Sequence, residues 1–195
     1  MSEKKLILYI SMSLDGFIAT KDDDISWLNS APMADEEERK EAGKEDEASK
    51  SYEEFTANVD SYIIGRKTYD VVMKLTGGDL PQVKLYDCYV ITRQDLEDKD
   101  GVKFYNGDLP TLVKELKSKG GKNIYCDGGG EIVKILMEHD LIDEYIVTII
   151  PIILGDGKRL FIGGTPRIEL EAYRSRNNLG YTELRYRRNT SVAAE

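Results

Sequence analysis

Three glycines follow one another in the segment IYCDGGGEIVKIL, Gly128, Gly129 and Gly130, between a run that reads as a buried strand and one that reads as a helix. Without Cβ atoms the backbone there can come close to a ligand, and the start of a helix presents free N–H groups and the positive end of its dipole. With Glu131 and Ile132 completing the turn, the arrangement suits a pyrophosphate. A glycine turn that only packs a helix close to a sheet is the alternative, and the spacing is neither G-x-G-x-x-G nor G-x-x-x-x-G-K-[ST]. Asp127 stands where the strand meets this turn, either as a group that polarises a substrate or relays a proton to it, or as a cap over the helix.

A second segment, IIGRKTYD, ends a buried run at Gly65 and opens a helix with Arg66, Lys67 and Thr68. Two cations at a helix N-terminus oppose the dipole, a cost that an anion bound between them would offset. Thr92 and Arg93 close a third apolar run in the same way, and ligands of open α/β sheets gather at the carboxyl ends of strands. In MSLDGFIATKDDDISWL, Asp15 and Gly16 form a tight turn, Asp15 reading as a turn residue rather than a catalytic acid. Trp27 either caps the core or covers a flat ring system.

These residues need elements to carry them. Leu6–Ser11, Val59–Gly65, Asp87–Thr92 and Asn123–Asp127 read as buried strands, and Asp143–Leu154 as a long central one. Arg66–Leu75, Thr111–Lys119 and Glu131–His139 read as helices, the last with Ile132, Val133, Leu136 and Met137 as its apolar stripe. Ile168–Tyr173 and Tyr181–Arg187 alternate apolar and polar residues, the mark of antiparallel strands with one wet face. The order predicts an α/β, three-layer fold around a mixed, mainly parallel sheet with an antiparallel edge. Residues 1–195 are expected to form a single domain, with 35–51 as an acidic surface helix or loop and 189–195 as a frayed tail.

The 195 residues carry a net charge of −9, which works against nucleic acid or anionic lipid as partners. The apolar stretch from Tyr145 to Leu154 is too short to span a bilayer, and the N-terminus lacks the pattern of a secretory signal, so a cytoplasmic protein without membrane partners is expected. One histidine rules out the usual zinc spacings, and Cys88 and Cys126 read as small core residues rather than a disulfide.

Taken together, MSLDGFIA followed by Trp27, then YEEF, IIGRKTY, YVITR, IYCDGGGEIVKILMEHDLIDEYIV and PIILGDG resemble the dihydrofolate reductase superfamily. Within it they are most similar to the reductase domain of the bifunctional riboflavin-biosynthesis deaminase-reductase and its stand-alone relatives, from Leu6 to about Arg187. The resemblance implies an eight-stranded dihydrofolate reductase-like sheet with one antiparallel C-terminal strand. It also implies NADPH as cofactor and hydride transfer to a C=N or ribosyl C=O bond of a small-molecule substrate. Carried over, Ala19 and Trp27 would line the nicotinamide side, and Gly65, Arg66, Lys67 and Thr68 would hold phosphates. Thr92 and Arg93 would take the 2′-phosphate, and Gly128, Gly129, Gly130, Glu131 and Ile132 would wrap the pyrophosphate. A homodimer is expected because related proteins bury the apolar faces of Tyr145–Leu154 and the C-terminal strands between subunits.

Departures fall on the substrate side, where Asp127, Phe17 and Phe55 are the candidate residues. The deaminase-reductase usually has Lys where this chain has Phe17, and Glu where it has Asp127. Missing lysine removes a donor for a phosphorylated sugar. In dihydrofolate reductases an acid one turn before a Phe pairs with the pterin, and that position, counted back from Phe55, is Ser51. Two further readings therefore stand beside the reductase: a dihydrofolate reductase-like enzyme, and a non-catalytic or stress-related nucleotide-binding protein on the same fold.

Overall fold

The apolar runs pair into one sheet because most of them are buried on both faces, as strands of a parallel sheet must be. A computed structural model describes residues 4–28, 47–178 and 180–189. In chain order the elements are β1 (Leu6–Ser13), β2 (Phe17–Ala19), α1 (Glu47–Thr56), β3 (Val59–Gly65), α2 (Arg66–Leu75), β4 (Asp87–Ile91) and β5 (Val102–Tyr105). There follow α3 (Leu109–Ser118), β6 (Asn123–Gly128), α4 (Gly130–Glu138), β7 (Glu144–Ile150), β8 (Lys158–Arg159), β9 (Leu170–Asn178) and β10 (Tyr181–Arg188).

Eight strands join in the order β5-β4-β3-β6-β1-β7-β10-β9, while β2 and β8 form a separate ribbon. All pairs from β5 to β7 are parallel. β10 runs against β7, and β9 against β10, so β10 is the one reversed strand of this sheet. The mixed, mainly parallel sheet with a reversed C-terminal strand is thus the expected one. β7 stops at Ile150 rather than at Leu154 because Pro151 has no N–H to donate to a ladder. The segment 35–46 and the tail 190–195 lie outside the described residues, whereas 47–51 open α1.

Helices cover both faces. On one, Leu112, Val113 and Leu116 of α3 and Ile132, Val133, Leu136 and Met137 of α4 pack on Leu6, Leu8, Ile63, Ile124 and Val147. On the other, Phe55 of α1 and Tyr69, Val72 and Met73 of α2 pack with Ile7, Tyr62, Ile64, Val90, Tyr125 and Ile146. Cys88 and Cys126 are free and fully buried, one in each of these two cores, and burial pushes both thiols up to about 12. Tyr145–Ile150 is held between β1 and β10, with Tyr145, Ile146, Val147 and Ile150 buried. Among the described residues, no helix is long and apolar enough to cross a membrane.

The adjacent strands β3 and β6 send their chains to opposite faces, β3 into α2 and β6 into α4. Such a divergence opens a crevice at the strands' carboxyl ends, which in open α/β sheets is where ligands bind. The layer that holds it in place depends on Leu136, fully buried at the centre of α4. Leu136→Ala is expected to cost about 2–5 kcal/mol, read as a lower urea midpoint with an unchanged m-value.

Candidate active site

A cleft of about 1500 Å³ runs across the carboxyl ends of the strands, between the starts of α2 and α4 and over the ends of β1, β6 and β7. Its two flanking helices begin without a side-chain cap, α2 from Gly65 and α4 from Gly129. By contrast α3 is capped by Asp108, whose carboxylate accepts from the Thr111 backbone N–H at 2.9 Å. Helix starts normally satisfy their first N–H groups with such a cap. The starts of α2 and α4 carry no such side chain, whereas the start of α3, which lines the cleft as well, is capped.

The glycines separate into packing and open positions. A Cβ on Gly65 would meet Ile132 at 3.1 Å, one on Gly128 would meet Ile10 at 2.9 Å, and one on Gly130 would meet the Arg159 carbonyl oxygen at 2.5 Å. These three let α4 come close to the sheet and to the β8 segment. Gly129, at φ +89°, has only the Thr68 hydroxyl near its missing Cβ, at 3.3 Å, and lines the cleft. Gly128 and Gly130 thus serve packing, whereas Gly129 leaves its backbone open to the cleft.

Around Gly129 the structure brings together Ala19, Gly65, Arg66, Lys67, Thr68, Thr92, Arg93, Gly130, Glu131 and Ile132 on the cleft wall. The Arg66 Nε donates to Asp70 at 2.7 Å, while its Nη1 is buried without an acceptor among the described residues. Arg93 reaches Glu131 at 3.0 Å, an exposed pair worth little. The Thr92 hydroxyl accepts from the Gln94 backbone N–H at 3.1 Å and so shapes the turn after β4.

Four expected residues do not line this cleft. Gly128 ends β6 inside the packed layer. Phe17 is buried in β2 beneath the Arg159 guanidinium, 4.4 Å from its ring centre. Phe55 is buried edge-on against Tyr9 and Tyr125, at 4.8 and 5.0 Å. Trp27 is buried while its neighbours Ile25 and Leu28 face the cleft, so the indole caps the core. Asp15 is a turn residue: its carboxylate accepts from Ser13 Oγ at 2.6 Å and from the N–H groups of Leu154 and Gly155 at 3.1 and 2.7 Å.

Asp127 lies on the floor, and it is not a helix cap. Tyr62 donates to its Oδ2 in a short hydrogen bond, and Tyr125 donates to its Oδ1 at 3.2 Å. Burial pushes the carboxyl up to about 6, although both phenols pull it down. Across β1 and β7 from it lies Glu183, on β10; Ser51 donates to both of its oxygens at 3.0 and 3.1 Å, Tyr9 donates to Oε2 at 2.8 Å, and Arg185 Nε donates to Oε1 at 2.8 Å. Burial alone would raise Glu183, but the bonds from Arg185, Tyr9 and Ser51 prevail and hold it below its usual range. Residue reading alone missed Tyr62, Tyr125, Tyr9 and Glu183. The spacing of Tyr125 and Asp127, two apart on a strand and so on one face, was the available signal.

Among known families, the RibD C-terminal domain matches residues 4–178. The chain is 39% identical over 160 residues to the uncharacterized protein YwjB of Bacillus subtilis, covering 82% of this chain and 83% of YwjB. A protein of Shewanella sp. PV-4, provisionally assigned to riboflavin biosynthesis, has a crystal structure that superposes with a TM-score of 0.77 at 28% identity, over 95% of this chain and 99% of that one. The Thermotoga maritima diaminohydroxyphosphoribosylaminopyrimidine deaminase/5-amino-6-(5-phosphoribosylamino)uracil reductase shares the fold, with a TM-score of 0.64 at 14% identity, over 96% of this chain and 57% of that one.

The two phenols that hold Asp127 set its titration. Tyr62→Phe removes the leading bond to the ionised form, so the Asp127 carboxyl is expected to rise above about 6, and Tyr125→Phe to raise it less. A carboxyl-carbon NMR titration of the two variants measures both shifts.

Proposed function

We propose that this chain, which belongs to the RibD C-terminal domain family, is an NADPH-dependent reductase acting on a C=N or C=O bond of a small heterocyclic or sugar-linked molecule. The reaction type is that of 5-amino-6-(5-phosphoribosylamino)uracil reductase. The observation that carries this reading is the pair of uncapped helix starts meeting over one cleft, with Lys67, Thr68 and Arg66 on one side and the open Gly129 on the other. That donor set fits a pyrophosphate. When bound, the cofactor supplies a hydride from its nicotinamide ring.

The chain's own residues bind, orient and protonate. Backbone N–H groups at the starts of α2 and α4 hold the pyrophosphate, and Thr92 and Arg93 take the 2′-phosphate. The apolar side chains Ile18, Ile25 and Leu28, which line the cleft, keep water from their part of it. Asp127, in its acid form, carries a proton on Oδ1, the oxygen whose bond to Tyr125 is the longer one, and delivers it to the atom next to the reduced carbon.

Cofactor choice tests the binding half. Contacts from charged donors to a phosphate contribute roughly 1.5–3 kcal/mol each, so NADPH is expected to bind at least about tenfold more tightly than NADH. Gly129→Ala is expected to weaken NADPH binding about tenfold, roughly 1.4 kcal/mol, and to shift melting only modestly. Calorimetry against both nucleotides, with melting measured on the free protein, checks the pair. An unchanged affinity beside a large loss of melting temperature would return Gly129 to packing.

The pH dependence tests the chemical half. Activity that needs the acid form of Asp127 falls as pH rises through about 6, and Asp127→Asn loses both the activity and that limb of the profile. The sign for stability follows the raised carboxyl. What Asp127 contributes is present below its unfolded value near ~3.9 and is lost as pH rises through about 6, so Asp127→Asn should gain on the native protein in melting temperature between pH 4 and 7. A screen of NADPH oxidation against the pyrimidine intermediate, dihydrofolate, simple imines and aldehydes identifies the substrate. NADPH binding with no oxidation across that screen favours a nucleotide-binding protein instead.

A further inference from the structure

Asn106 is the one asparagine of this chain that precedes a glycine. It stands in the short turn between β5 and α3, where Asn106 and Gly107 are both exposed. The flanks of the turn are fixed. Tyr105 ends β5, its carbonyl accepting from the Thr92 N–H at 3.0 Å, and Asp108 caps α3. Between them the Gly107 N–H donates to no acceptor among the described residues, and the Asn106 side chain reaches Asp95 at 3.4 Å, beyond the usual length of a hydrogen bond. Glycine is required at 107, because a Cβ there would meet the Tyr105 hydroxyl at 2.6 Å and its ring at 2.7 Å, where the ring leans over to donate to the Asp108 carbonyl. Asn58 and Asn123 are guarded instead. Asn58 donates to the Glu54 carbonyl at 2.9 Å, Asn123 accepts from the Lys5 N–H at 3.2 Å, and the β-branched Val59 and Ile124 that follow them crowd the next backbone nitrogen.

We propose that Asn106 and Gly107 form a site of self-modification, at which the Asn106 amide converts to a carboxylate on the wall of the cleft. The Gly107 nitrogen, having given its proton to solvent, attacks Asn106 Cγ. The N–Cγ bond forms, the Cγ–Nδ2 bond breaks, and the side-chain nitrogen leaves as ammonia with a proton from solvent. Water then opens the cyclic imide at either carbonyl, which leaves aspartate or isoaspartate, and nothing is oxidised or reduced. The missing side chain at 107 is what lets the nitrogen reach Cγ, so the residue that the Tyr105 ring demands is also the one that exposes Asn106 to attack. Either product puts a negative charge beside Asp95, one residue past Tyr105 and on the same cleft wall as Thr92 and Arg93. An anion bound at that wall is then repelled. The turn is a timer that ages this end of the cleft. Calling the repelled anion the 2′-phosphate of NADPH rests on the reductase reading; the modification does not.

The test incubates the full chain at neutral pH and follows the tryptic peptide from Phe104 to Lys114 by mass spectrometry, with isoaspartate read by an isoaspartyl methyltransferase. This peptide is expected to gain the mass of an amide-to-acid exchange faster than any other asparagine-bearing peptide, to show both aspartate and isoaspartate, and to gain nothing in Asn106→Gln. A native peptide that keeps its amide, or a gain that persists in Asn106→Gln, would overturn the site. Asn106→Asp supplies the modified charge directly, and its melting temperature confirms folding. By calorimetry it is expected to bind NADPH at least about threefold more weakly than the native chain, with NADH nearly unchanged. Equal NADPH affinity in the two proteins would overturn the effect on the cleft. If NADPH binds neither protein while the peptide still converts, the reductase reading falls and the modification stands.

Discussion

A side chain at Gly65 would press on Ile132, and one at Gly130 would run into the carbonyl of Arg159, so the start of α4 can sit where it does only because three strand-end and helix-start positions carry no Cβ. That close approach sets the geometry of the cleft. It brings the uncapped end of α4 level with the uncapped end of α2, although the two helices lie on opposite faces of the sheet. It also leaves Gly129 as the one of the three consecutive glycines whose missing side chain opens toward the cleft rather than into packing. Helix dipoles and open backbone converge at that point because of how tightly the two layers meet.

Charge is divided along the cleft. Arg66, Lys67 and Arg93 lie at the helix and strand ends of one wall, whereas the floor carries Asp127 and Glu183 with the phenols of Tyr9 and Tyr125. A floor of this kind would be costly if its carboxylates were left bare, and each is dealt with differently. Glu183 stays ionised by drawing in Arg185 and two hydroxyls, while Asp127 has only phenols and is pushed toward its neutral form. Two acids on the floor of one cleft thus end in opposite states, one fixed as an anion that orients Tyr9, the other able to carry a proton.

The elements were legible where one period ran long enough. Strands buried on both faces appear as unbroken apolar runs, and the stripes of α3 and α4 fall where their spacing puts them. What escaped was short or set by distant residues. β2 and β8, of three and two residues, and β5, of four residues with only Val102 buried, are too brief to show a period. Whether a glycine packs or opens onto the cleft depends on Ile10, Thr68 and Arg159, far away in sequence. Glu183 sits in an alternating strand whose polar side reads as wet, yet α1 covers it and supplies Ser51. Phe17, Phe55 and Trp27 were placed near the ligand by resemblance, and burial keeps all three off the cleft wall.

The two cysteines occupy opposite sides of an eight-stranded sheet, and neither is exposed at all. No disulfide can join them without taking the sheet apart, and a thiol pushed up to about 12 offers almost no thiolate to an oxidant or an alkylating reagent. The folded chain is therefore covalently indifferent to redox conditions. Each thiol becomes reactive only when its own layer opens, so the rates at which Cys88 and Cys126 are labelled give two independent clocks, one for each face of the molecule. Equal rates would mean that the layers come apart together, and unequal rates would identify which one loosens first.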